Sequence, residues 1–99
     1  MKGKERANLR AEAHHLSPMV HVGHQGVTDN LVRTMNDALR TYELVKVDIS
    51  RNLDVAPKAA ANALAAATGA EVVQVIGRKA TLYRDNPDVE WKDGIPPWR

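Results

Sequence analysis

The chain has 99 residues, enough for one domain and too few for two. It holds no cysteine, which excludes disulfides, thiolate metal sites and cysteine nucleophiles, and fits a reducing compartment. Its net charge of +2 is unevenly spread: residues 1–84 carry twelve Lys/Arg against eight Asp/Glu, and residues 85–99 carry two against four, so a basic body precedes an acidic tail.

Residues 4–15 read as a helix, with Leu9, Ala13 and Leu16 on one apolar stripe and Lys2, Lys4, Arg6 and Arg10 off it. Ser17-Pro18 ends that helix, because proline disfavours helical geometry in the residue before it. Met19 to Val22 is a short apolar run interrupted by His21 and reads as a strand, followed by the tight loop Gly23-His24-Gln25-Gly26. Thr28 is placed to cap the next helix, with Asp29 in its first turn. Leu31, Met35, Ala38, Leu39 and Tyr42 repeat at helical spacing, with the end near Thr41.

Leu44 to Ser50 alternates with Val45, Val47 and Ile49 on one face, the pattern of a half-buried strand. A third helix is expected from about Asp54, with Pro57 tolerated in the first turn, the alanine-rich run Ala59 to Ala67 as its body and Gly69 closing it. Residues 72–83 form a hairpin, Val72 to Ile76 turning through Gly77-Arg78-Lys79 into Ala80 to Tyr83. Asn86-Pro87 ends the fold, and the aperiodic acidic tail over 85–99 is expected to be flexible. The order α-β-α-β-α-β-β implies one α/β domain with a four-stranded mixed sheet packed by helices.

The charged N-terminus shows no signal peptide, and no window approaches the roughly 20 apolar residues of a membrane helix. A soluble cytoplasmic protein with no membrane partner, monomeric by default, is the expectation. The apolar residues are mostly Ala, Val and Leu with no Phe, which predicts a tight aliphatic core with Tyr42 and Tyr83 in it and no large ligand cavity.

The strand–GxxG–helix unit carries the functional reading. Two glycines let a backbone approach without β-carbons in the way, and the loop opens on a helix N-terminus whose free N–H groups favour phosphate. KH domains clamp nucleotide backbones with such a loop. As a bare pattern GxxG is common and reads more often as a tight strand-to-helix turn, so the basic side chains matter as a group. Lys2, Lys4, Arg6 and Arg10 would join Arg33, Arg78 and Lys79 in a phosphate-binding surface, while Arg40 and Lys58 are left as solvating charge.

His14, His15, His21 and His24 fall within eleven positions, yet His14 and His15 point apart and no cysteine or nearby carboxylate completes a metal-ligand set. His24 is expected to face phosphate and His14 to pack near the loop, with His21 left open between core and surface. No nucleophile–histidine–acid set and no P-loop is visible, and Asp37 and Asp48 are not paired as catalytic acids, so no enzyme and no cofactor is expected. Trp91 and Trp98 in the tail leave one alternative, a protein-interaction module docking through that segment.

Three blocks of residues resemble the CRM domain (chloroplast RNA splicing and ribosome maturation), whose bacterial stand-alone form is the YhbY-like protein. They are Ala13-His14-His15-Leu16-Ser17-Pro18 with Val22-Gly23-His24-Gln25-Gly26-Val27-Thr28; Ala38-Leu39 with Glu43-Leu44-Val45-Lys46-Val47; and Thr68-Gly69 with Val73-Gln74-Val75-Ile76-Gly77-Arg78-Lys79 and Leu82-Tyr83-Arg84. The likeness makes residues 1–84 a CRM-like domain and leaves the tail outside it. It implies a fold similar to the C-terminal domain of bacterial translation initiation factor three. It also implies RNA as the partner, ribosomal RNA of large-subunit precursors above all, bound through Gly23, His24, Gln25 and Gly26 with Thr28 beside them and basic support from the first helix. Many relatives carry a lysine or arginine in this loop, whereas His24-Gln25 has no fixed charge, which places more of the binding on backbone N–H groups.

Overall fold

A computed structural model describes residues 1–88 and 90–99. Its elements follow the expected order: α1 (Gly3–Ala13), β1 (Val20–Val22), α2 (Asp29–Tyr42), β2 (Leu44–Ile49), α3 (Pro57–Thr68), β3 (Glu71–Ile76) and β4 (Lys79–Tyr83). The strands form one sheet in the order β1-β2-β4-β3, with β1 parallel to β2 and the other pairs antiparallel. The expected mixed α/β fold is therefore present. Among the described residues no helix is long and apolar enough to cross a membrane.

Local chemistry accounts for the boundaries. The hydroxyl of Thr28 accepts from the backbone N–H of Leu31 at 3.1 Å and fixes the start of α2. Helix α3 begins at Pro57 rather than at Asp54, because Ala56, preceding the proline, is held extended at φ −61° and ψ 146°. Gly69 closes α3 in the left-handed conformation, as its position predicts. Between α2 and β2 the reversal is made by Glu43 at φ 64°, a conformation non-glycine residues rarely adopt. Tyr42, expected in the core, is exposed beside that reversal.

The main core lies on the face covered by α2 and α3. There Met35, Leu39 and Leu64 meet Val45, Val47 and Ile49 of β2, with Val22 and Leu82 on the flanking strands. Ala60, Ala61 and Ala65 let α3 sit close to the sheet, which is the use of the alanine run. Helix α1 covers the opposite face, where Leu9, Leu44 and Val73 form a second apolar cluster. This second layer explains why Leu44 is as buried as Val45 although β2 alternates.

The tail departs from its expected behaviour: apart from Val89, which lies outside the described residues, it returns to the domain. Trp98 packs on the second cluster, edge-on to Tyr83 with ring centroids 6.2 Å apart, and Trp91 meets Trp98 at 5.6 Å. Arg99 pairs with Glu12 of α1. The Trp98 indole brings apolar surface that the α1 face partly buries, whereas Trp91 stays exposed. The Tyr83 hydroxyl is pushed up to about 12, first by burial and then by the carboxylates of Asp85, Glu43, Glu5 and Glu71.

Candidate nucleic-acid interface

Because β1 and β2 are parallel and β4 runs against β2, three connections emerge at one end of the sheet: the Gly23–Gly26 loop, the β2–α3 connection and the β3–β4 turn. Crevices at the carboxyl ends of adjacent parallel strands are the usual binding places of open sheets. Backbone hydrogen bonds join the three here. Ser50 donates to the carbonyl of Val22 and Ile49 to that of Arg78, both at 2.8 Å.

The Gly23–Gly26 loop is a tight turn closed by the Gly26 N–H on the Gly23 carbonyl at 3.0 Å. Gly26 sits at φ 76°, and a β-carbon there would meet Leu53 at 3.4 Å, whereas one on Gly23 would meet nothing within 4 Å. The two glycines therefore differ: Gly26 is required by the turn, and Gly23 keeps the surface open. Within this unit the backbone N–H groups of His24, Gln25, Asp29 and Asn30 donate to no protein acceptor among the described residues. Such donors at a loop-to-helix junction offer an anion a cradle, while the carboxylate of Asp29 opposes an anion at the same helix end. The groove beside it is lined by Met19, His21, His24, Gln25, Asn30 and Thr34.

Of the other expected site residues, Arg78 and Lys79 lie at this end. The Arg78 guanidinium donates to the Ser50 carbonyl at 2.9 Å, and the Lys79 ammonium donates to Asp48 at 2.5 Å. Asp48 also meets the His21 ring at 3.2 Å. The hydrogen bond from Lys79 holds the Asp48 carboxyl below its usual range, partial burial opposes this, and the Lys79 charge and His21 add to the lowering. Arg33, exposed on α2, donates to Asn30 at 2.6 Å and so stands at the edge of the loop groove.

The first-helix set is not gathered there. Met1 at the start of α1 pairs with Glu71, which lies across from Tyr83 at the far end of the sheet, and this carries Lys2 and Lys4 away from the loop. Arg6 turns inward and donates to the carbonyls of Val72 at 2.5 Å and Val73 at 3.3 Å, a structural tie between α1 and β3. Arg10 remains exposed on the solvent side of α1. The C-terminal end of α1 points toward the middle of the sheet, where Lys46 donates to the carbonyls of Ala13 and Leu16 and caps the helix.

His14 lines a shallow depression with Lys46 and Lys79 on the α1 face rather than the loop groove. Among the described residues no three His, Asp or Glu side chains are grouped to hold a metal ion. Sequence reasoning passed over Ser50, Arg51 and Asn52, which line a groove with His21, Arg78 and Lys79. The signal available was topological, since a parallel β1–β2 pair must present both carboxyl ends together.

Known proteins resemble this chain in sequence and in fold. The model of the CRS1/YhbY (CRM) domain matches residues 1–84. A probable RNA-binding protein of Bacillus subtilis, YqeI, is 35% identical over 88 residues, covering 89% of this chain and 92% of that protein. An RNA-binding protein of Haemophilus influenzae is 34% identical over 93 residues, covering 94% and 92%. The solution structure of a Staphylococcus aureus protein, described as a candidate RNA-binding protein, superposes with a TM-score of 0.79 at 34% identity over 98% of this chain and 99% of that one.

Proposed function

The chain belongs to the CRS1/YhbY (CRM) domain family, and on that premise we propose that it is an RNA-binding protein whose contacts begin at the Gly23–Gly26 loop. Its RNA is ribosomal, in precursors of the large subunit, and it acts there as a cytoplasmic monomeric assembly factor with no chemistry of its own. The observation that carries the reading is the cradle of unengaged backbone N–H groups, His24, Gln25, Asp29 and Asn30 among them, set beside the cationic groove that ends in Arg78 and Lys79. Backbone donors suit a phosphodiester and carry no base preference, so phosphates set the position of the protein and RNA shape supplies the selectivity. The tail-docking alternative has less to stand on, because the Trp98 ring packs against Tyr83 and the cluster of Leu9, Leu44 and Val73, inside the chain.

The test is a fluorescence-anisotropy titration of large-subunit ribosomal RNA fragments at several salt concentrations, wild type beside Gly23→Asp. Gly23 is the position to change, since a side chain there meets open space and adds a negative charge to the cradle. Binding that weakens steeply with salt and falls tenfold or more in the variant, at unchanged melting temperature, is the expected result. Binding indifferent to the substitution would overturn the loop assignment.

A further inference from the structure

We infer that the groove between the β2–α3 connection and the β3–β4 turn is a second phosphate subsite for the same RNA strand, with Arg51 as the cation that engages it. This rests on the RNA-binding reading above and assigns the charge that the loop lacks.

The two grooves share one wall, His21, and differ in kind. The loop groove has no lysine or arginine in its lining, and Asp29 stands at its helix end. Neutral donors alone orient an anion but attract it weakly in water, where salt and solvent screen partial charges. The second groove is lined by Arg51, Arg78 and Lys79 against the single carboxylate of Asp48. The net positive charge of this end of the sheet therefore lies beside the GxxG loop and not in it.

The three cations are not equivalent. Arg78 is oriented by Ser50 and Lys79 by Asp48, so each is held in place with part of its donor capacity used. Arg51 is exposed and has no hydrogen-bond or ion-pair partner among the described residues. Its guanidinium is the group at this end with its whole donor fork available for a phosphate. The floor beneath it is fixed: Ser50, directly before it, donates to Val22, and Ile49 donates to Arg78, so the loop and both groove walls are registered by backbone bonds. A strand whose phosphate sits on the Gly23–Gly26 cradle passes His21 and meets Arg51 and Arg78 next.

The experiment measures the salt dependence of binding to large-subunit ribosomal RNA fragments for wild type, Arg51→Gln, Gly23→Asp and the control Arg40→Gln. Arg40 pairs with Asp37 near the C-terminal end of α2, remote from both grooves. Arg51→Gln is expected to weaken binding about five- to tenfold and to lower the slope of log K against log salt by about one, while Arg40→Gln changes neither. Loss of binding in Gly23→Asp with Arg51→Gln unaffected would overturn the second subsite and leave the loop reading standing. Equal weakening by Arg51→Gln and Arg40→Gln would also overturn it, since that is a general charge effect. No binding by the wild-type protein overturns both readings.

Discussion

Trp91 donates its indole N–H to the carboxylate of Glu43, at 3.3 Å to Oε1 and 3.2 Å to Oε2. Glu43 is 1% exposed, so this donor from the tail meets a buried charge at the α2–β2 reversal. The neighbouring Trp98 differs: its ring packs between Tyr83 and Trp91, but its buried Nε1 has no partner among the described residues. Two indoles in one segment thus do different work, one through a hydrogen bond and one through packing.

That difference is measurable by urea unfolding. Trp91→Phe removes the donor from a buried carboxylate and is expected to cost about 1–2 kcal/mol. Trp98→Phe keeps an aromatic ring and deletes an unpaired N–H, so its cost is expected to stay below about 1 kcal/mol. Equal losses from the two substitutions would show that the Glu43 contact contributes nothing of its own.

Much of this molecule was legible in its sequence because the signals were local. Thr28 as a cap, Gly69 as a helix stop and the alternation of Val45, Val47 and Ile49 each act over a few residues, and each is found in place. The loop at Gly23–Gly26 was legible for the same reason. The basic surface was legible only in part: Arg33, Arg78 and Lys79 stand near the loop, but whether the α1 cations join them depends on where α1 crosses the sheet. Arg6 and Arg10 look alike on a helical stripe, yet Arg6 alone reaches the carbonyls of β3. Trp98 was illegible too, since nothing in an aperiodic tail announces that the α1 face has apolar surface left to cover.

Gly26 and Gly23 are expected to respond oppositely to a methyl group. At φ 76° and 3.4 Å from Leu53, Gly26→Ala imposes left-handed backbone on an L-residue and is expected to cost about 1–2 kcal/mol. Gly23→Ala meets open space and is expected to be within about 0.5 kcal/mol of wild type. Thermal melts of the two variants check this, and a Gly26→Ala protein as stable as Gly23→Ala would mean that the turn closed by Gly26 on Gly23 is not formed.

Arg6 ties α1 to β3 where the β3–β4 register shifts between Val72 and Gln74. The ladder is interrupted there, and the guanidinium satisfies carbonyls at the bulge. Arg6→Ala is therefore expected to destabilise by about 1–3 kcal/mol, as a half-buried charged donor to backbone would. Arg10→Ala, on the exposed side of the same helix, is expected to change stability by less than about 0.5 kcal/mol. Unfolding midpoints of the two proteins decide it, and similar midpoints would return Arg6 to the solvent-facing set.

Asp48 links folding stability to pH through its contact with Lys79. Its carboxyl titrates below the ordinary 3.8, first because Lys79 hydrogen-bonds the ionised form. A folded-state value below the unfolded one means that ionised Asp48 favours the folded chain. That contribution is complete above the unfolded value of about 4 and is lost as pH falls through the lower folded value. Lys79→Gln removes the leading cause, so the Asp48 carboxyl is expected to move up toward 3.8 in a carbon-detected NMR titration. The stability difference between wild type and Lys79→Gln should accordingly be present at neutral pH and shrink once Asp48 is protonated in both. A carboxyl that titrates identically in the two proteins would show that Lys79 is free in solution, and would make it a second unpaired cation beside Arg51.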